Sequence, residues 1–275
     1  MMNYGRMREA HVVNTTWLPS KGVCYPQGIE IAVSPISVAE RKAIEGASQA
    51  TYYKKILDCI SIYGDFDKKN LLFHDVSFLD LVCRLYTFEK DKKINISDYV
   101  CPYCGSSEAK MSFDMADLEF EDFVEGIFGE QKSLKNEETG EEVIVTTPGK
   151  AYTFSDGMTV YARPMTVGNY IDMSIEYMSN FNEARREEML ADLYTGMFSY
   201  LIVAVKDREY KTDEDRRAFI VDYIRSLYKD SDSNILDQIE TDMSIIMKPL
   251  TGKCPKCNNK LEVYVNPSLR FQQEV

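Results

Sequence analysis

Histidine is almost missing from this chain: there are two in 275 residues, His11 and His74. They stand far apart, and neither has a Ser or Cys placed to make a hydrolytic pair with it. Phosphate-cradling and metalloprotease patterns are missing too. The chain has no G-x-x-x-x-G-K-[ST], no G-x-G-x-x-G and no H-E-x-x-H. These absences predict a protein that is not an enzyme and has no small-molecule substrate. A basic excess is also lacking, since 32 Lys and Arg face 44 Asp and Glu for a net charge of −12. Without a cationic stripe to displace counterions, nucleic acid is not an expected partner. Long apolar runs are absent as well. The longest, Tyr200 to Val205, stops at Lys206, far short of the ~20 residues that span a bilayer. No membrane association is expected, and Met1 to Arg6 has no apolar core behind it to suggest a signal peptide.

What is present describes an ordered globular chain. Hydrophobic residues make up 44 % and aromatic residues 12 % of it, enough for one large core or two modest ones. Tryptophan occurs once, at Trp17, inside Trp17-Leu18-Pro19-Ser20-Lys21-Gly22-Val23-Cys24-Tyr25-Pro26. That spacing of Pro and Gly forbids a helix and predicts an extended arm. Its Trp17, Leu18, Val23 and Tyr25 need an apolar surface, supplied either by the chain's own core or by a neighbouring subunit.

Of seven cysteines, four fall in two short turns, Cys101-Pro102-Tyr103-Cys104-Gly105 and Cys254-Pro255-Lys256-Cys257-Asn258. A C-x-x-C turn presents two thiolates to one metal, and zinc closes its shell with four. Pro after the first Cys and Gly or Asn after the second suit such a turn. Each turn precedes a strand-like run, Lys110–Met115 and Lys260–Val265, which is the layout of half a zinc ribbon. The pattern predicts one structural zinc per chain, shared by Cys101, Cys104, Cys254 and Cys257, with no open position for catalysis. Two redox dithiols and plain buried thiols are the alternatives. A thioredoxin-like motif sits between strand and helix, and neither turn does. The remaining Cys24, Cys59 and Cys83 show no paired spacing, a pattern of reducing compartments.

Periodicity places a strand at Ile29–Val33, a capping box at Ser37 to Glu40, and helices over 38–45, 49–63 and, capped by Asp75, to about Tyr86. Residues 117–128 read as an acidic helix with a solvated face. Residues 131–150 read as a polar linker with a turn at Thr139-Gly140 and a brief strand at 143–145. A hairpin is expected at Ser155-Asp156-Gly157, followed by helices near 167–181, 183–206, 213–229 and 233–247. The two halves resemble each other. The segment from Ile29 to Val38 aligns without a gap on that from Met158 to Val167, Pro35 on Pro164, and each copy ends in a knuckle and a strand.

The run Trp17 to Gly22, then Tyr25-Pro26, then Val33 to Glu40, then helices and Cys-Pro-x-Cys-Gly resembles the baseplate hub protein family of contractile-tailed bacteriophages. The likeness covers most of residues 17–120, and more weakly Asp156 to Val167. It implies a structural subunit of the tail baseplate, at or near the hub, that holds or assembles other baseplate and tail proteins. Its place would be the virion, and the host cytoplasm during assembly. A zinc-ribbon adaptor acting on nucleic acid or transcription machinery, and an assembly chaperone outside the virion, are the competing functions. The expected fold is α+β and mainly helical. Two pseudo-repeated helix-rich halves with short β-hairpins are joined by a discontinuous four-cysteine zinc ribbon. The divisions fall at 1–28 (arm), 29–130 (first half with first knuckle), 131–150 (linker) and 151–275 (second half with second knuckle).

Overall fold

In a computed structural model of the chain, which describes residues 9–88, 92–135, 142–178 and 183–264, the alternating run after Ile29 is the centre strand of a three-stranded sheet. Strand β2 (Glu30–Val33) pairs antiparallel with β1 (His11–Val13) on one side and β3 (Ile60–Tyr63) on the other. The architecture is α+β, with seven α-helices among the described residues and small antiparallel sheets. The start of the arm, the Thr139-Gly140 turn, the end of the 167–181 helix and the tail after Val265 lie outside the described residues.

The chain divides into two compact units. One comprises Met1–Ala47, Thr51–Asp122 and Ile245–Val275; the other comprises Ser48–Ala50 and Phe123–Ser244. Residues from Ile245 onward, expected with the second half, therefore group with the first. The pairing that brings them there is a short antiparallel ladder. Phe120 bridges Met247, Glu121 N donates to Ile246 O and Lys248 N donates to Glu119 O. This ladder also corrects the acidic helix expected at 117–128. Leu118 and Phe120 are buried while Glu119 and Glu121 are exposed. Over 118–121 the operative period is thus two rather than 3.6 and the chain is extended, while 125–128 turn, with Ile127 N donating to Val124 O and Gly129 N to Gly126 O.

In the first unit, α1 (Val38–Ile44) starts at the capping box. Glu40 N donates to Ser37 Oγ at 3.2 Å and Ser37 N to Glu40 Oε2 at 2.8 Å. The helix expected over 49–63 is α2 (Gln49–Asp58) followed by β3. Ile60-Ser61-Ile62-Tyr63 is β-branched and alternating, and its pairing with β2 overrides the helical pattern. Helix α3 (Phe73–Phe88) is the core of the unit, with Val76, Phe78, Leu79, Val82 and Leu85 buried. Asp80 on its flank is buried with Arg84 (3.0 Å) and the Tyr52 hydroxyl.

Asp75, expected to cap α3, lies inside its first turn and binds the arm instead. Its carboxylate accepts from Ser20 N (2.8 Å), Ser20 Oγ (2.5 Å) and the Tyr25 hydroxyl, which in turn accepts from Leu72 N at 3.0 Å. Leu18 and Tyr25, expected to seek a partner, are thus engaged within the chain: Leu18 is buried and Tyr25 is pinned to Asp75. Trp17 is only partly buried and Val23 is 70 % exposed.

In the second unit, the segment expected to be a linker holds a hairpin of β6 (Gln131–Lys135) and β7 (Glu142–Thr146). Strands β8 (Lys150–Thr153) and β9 (Thr159–Ala162) form the hairpin expected at Asp156-Gly157. Gly157 takes φ +88°, where a side chain is disfavoured. Helix α4 (Val167–Met173) runs into a π-turn, Ser174–Met178. Residues expected as one helix over 183–206 become α5 (Arg186–Leu201) and β10 (Ile202–Val205), which pairs with β9. Arg216, buried in α6 (Asp213–Ser226), fixes that transition. Its guanidinium donates to Ser199 O (3.0 Å), to Ile202 O and to Asp213, taking up carbonyls that the end of α5 leaves free. Helix α7 (Asp230–Met243) presents Leu236, Ile239 and Met243 to a core that contains Val160, Phe198 and Ile202. Among the described residues no helix is long and apolar enough to cross a membrane.

Candidate metal centre

Two hairpins carry the knuckles. Strands β4 (Ile94–Tyr99) and β5 (Ala109–Phe113) flank Cys101 and Cys104, and β11 (Leu250–Lys253) and β12 (Lys260–Val263) flank Cys254 and Cys257. All four cysteines lie in the first compact unit. Their turns are built alike. Gly105 N donates to Cys101 O (2.9 Å) and Cys101 N to Ser106 O (2.9 Å); Asn258 N donates to Cys254 O (2.8 Å) and Cys254 N to Asn259 O (3.0 Å). The residue after each second cysteine turns left-handed, Gly105 at φ +69° and Asn258 at +60°. Gly and Asn are the residues that tolerate that backbone, which is why the two knuckles differ there without differing in shape.

The turns bring the thiols together although 150 positions separate Cys104 from Cys254. Cys101 Sγ lies 3.7 Å from Cys257 Sγ, Cys104 Sγ lies 3.7 Å from Cys254 Sγ, and the four sulfurs are all within 4.8 Å of one another. A disulfide needs about 2.05 Å. A tetrahedron with ~2.3 Å zinc–sulfur bonds has sulfur–sulfur edges of about 3.8 Å. The four thiols therefore match the donor set of a closed tetrahedral metal site. Cys101 and Cys254 are buried, Cys257 is half-buried and Cys104 is exposed.

Supporting contacts hold the two hairpins to each other. Tyr99 Oη donates across them to Glu262 O at 3.0 Å, while within the second knuckle Asn259 Nδ2 donates to Cys257 Sγ at 3.4 Å. Gly252 lets β11 approach β5 closely, since a Cβ there would come 2.5 Å from Met111 Sδ. The Cys254 thiol is pushed down to about 7, first by the Cys257 backbone N–H and then by Lys256 N–H and the neighbouring thiols, against the cost of burial. Cys104 is pushed up to about 12. The Ser106 backbone N–H favours its thiolate, but desolvation and the three other thiols outweigh it.

All four cysteines expected to act together are brought together, and Cys24, Cys59 and Cys83 are not part of the cluster. Cys59 and Cys83 are buried, and burial foremost pushes the Cys24 thiol up to about 11. Tyr99, Asn259 and the Gly252–Met111 approach were not read from sequence. Only Asn259, two residues from Cys257, carried a local signal. His74 does no acid–base work that the geometry supports. Burial lowers it to about 4, and its Nδ1 has no hydrogen-bond partner among the described residues.

Against known proteins, the chain matches over residues 12–270 the family model described as T4 bacteriophage base plate protein. No curated protein and no solved structure matches it.

Proposed function

The chain belongs to the T4 bacteriophage base plate protein family, and from that premise we propose that it is a non-enzymatic structural subunit of a contractile-tail baseplate. It sits at or beside the hub, holding or assembling neighbouring tail proteins in the virion after joining them in the host cytoplasm. The observation that carries this reading is the extent of the match, which takes in both compact units and both knuckles. A mass-spectrometric inventory of purified virions and of baseplate intermediates tests it. Peptides of this chain are expected in the tail fraction. Presence only in intermediates restricts the role to assembly, and absence from both overturns it.

Within that role the four thiolates hold one structural zinc as a ribbon shared by two hairpins, a reading supported by the 3.7 Å sulfur separations. Zinc supplies bond energy that a two-stranded hairpin cannot draw from burial. The two halves are copies of one plan. Registers support this: His11 faces Val33 where Lys150 faces Ala162, and Ile60 faces Val33 where Ile202 faces Ala162. Ser34 N donates to Cys59 O as Arg163 N donates to Leu201 O, and Ser37 caps α1 as Thr166 caps α4. The arm meets a neighbouring tail protein through Val23 and the open side of Trp17, with Leu18 and Tyr25 anchoring it from beneath.

A further inference from the structure

On the β11–β12 hairpin, Leu250 faces Val263 and Gly252 faces Leu261, and this side is directed inward, with Leu250, Leu261 and Val263 buried. The other side carries Thr251 opposite Glu262 and Lys253 directly opposite Lys260, with Tyr264 next in line at 72 % exposure. Lys256 is exposed in the connecting turn. Like charges directly across a ladder are destabilising, and a large exposed aromatic beside them adds nothing to the hairpin's own fold. Lys260 is paired with Glu262 at 2.9 Å, while Lys253 and Lys256 make no ion pair among the described residues. In a chain of net charge −12, this hairpin presents three lysines against one glutamate.

We propose that this outward face, Lys253, Lys256 and Lys260 with Tyr264, is a docking surface for a carboxylate-bearing segment of a neighbouring protein in the tail assembly. The proposal rests on the baseplate reading. Tyr264 is the apolar anchor and the lysines are the charged rim that sets orientation and encounter rate. Nucleic acid fits less well. Three lysines and no arginine offer few phosphate contacts, whereas tight non-specific binding draws on roughly 6–10.

The test is made on assembled baseplates. Zero-length carbodiimide coupling is expected to join Lys253 or Lys256 to an Asp or Glu of another protein. The double variant Lys253→Glu/Lys256→Glu is expected to enter baseplates at least tenfold less well while keeping its zinc content, with Lys253→Gln/Lys256→Gln in between. Cross-links confined to this chain or its copies, or undiminished incorporation of the charge-reversed variant, overturn the proposal. So does loss of zinc in the variants, which would make the lysines counter-charges of the thiolates. Salt-sensitive binding of a single-stranded oligonucleotide that the variant loses also overturns it. If the wild-type chain never enters tails, the baseplate reading falls first and this inference with it.

Discussion

Sheet β1–β2–β3 and sheet β8–β9–β10 share the register of their first two strands, and their third strands start in the same register before β10 bulges after Ile202, yet what lies between the first two strands differs in length and in anchorage. In the second unit, β8 and β9 are joined by a short turn that holds itself: Phe154 N donates to Met158 O and Gly157 N to Phe154 O. Ser155 N (2.8 Å) and Oγ (3.0 Å) donate to Asp232, buried in the first turn of α7. In the first unit the connection runs from Asn14 to Ile29, and Ser20 N and Oγ make the same two bonds to Asp75 in the first turn of α3. Here Tyr25 joins them. A buried aspartate at the start of a helix is therefore a shared fastening, supplementary where the turn is short and decisive where the connection is long.

The largest expected break in the comparison comes from the metal, because the cysteine cluster lies in the first unit alone. Structural zinc contributes apparent binding of roughly 10–16 kcal/mol in small peptides, on the scale of a domain's whole stability. Cys101→Ser and Cys254→Ser are each expected to release it, with the double variant little worse than either. Limited proteolysis should then cut near residues 250–260 while the α5–α7 core of the second unit stays protected. Retention of a full zinc equivalent by both single variants, or two zincs in the wild type, would sink the shared site.

A smaller effect separates the two fastenings. Asp75→Ala removes three hydrogen bonds to a buried carboxylate and frees the arm, and should cost about 3–5 kcal/mol in urea unfolding. Asp232→Ala should cost about 2 kcal/mol, because the turn retains its own backbone bonds. Equal losses would mean that the long connection depends on its aspartate no more than the short turn does.

The smallest effect in the wild type is in pH, where two neighbours oppose each other. Burial pushes Asp75 up to about 6 from 3.8, so its contribution is fullest below pH 4 and is lost as pH rises through 6. Burial pushes His74 down to about 4 from 6.5, so its contribution is present above pH 6.5 and is lost as pH falls towards 4. Each shift amounts to about 3 kcal/mol, and together they leave the wild type nearly level across that window. In urea midpoints measured from pH 4 to 7, Asp75→Asn should lose stability on acidification and His74→Gln should gain it. Parallel slopes in the two variants would refute the opposition.

Local chemistry made much of this visible beforehand. The capping box at Ser37, the Asp-Gly hairpin and both knuckles are fixed by residues within four positions of one another. The four-cysteine cluster was legible because metal coordination requires partners whatever the distance along the chain. Ladders between distant segments were not. Ile60–Tyr63 and Ile202–Val205 follow directly on helices and are apolar, so only the waiting edges of β2 and β9 make them strands. Likewise Phe120 finds Met247 through pairing that no periodicity of 117–128 announces. Asp75 was placed at the right helix end but given the wrong task, since its partner Ser20 lies 55 positions away.

The division of the first unit into segments on either side of Phe123–Ser244 has a consequence in time. A ribosome adding about 5–20 residues per second takes about 8–30 s to travel from the first knuckle to the second. Throughout that interval Cys101 and Cys104 lack the two thiols that the fold sets beside them, while Phe123–Ser244, nearly the whole of the second unit, emerges as one run. The unit that begins first is therefore completed last, when Cys254 and Cys257 emerge with the final segment.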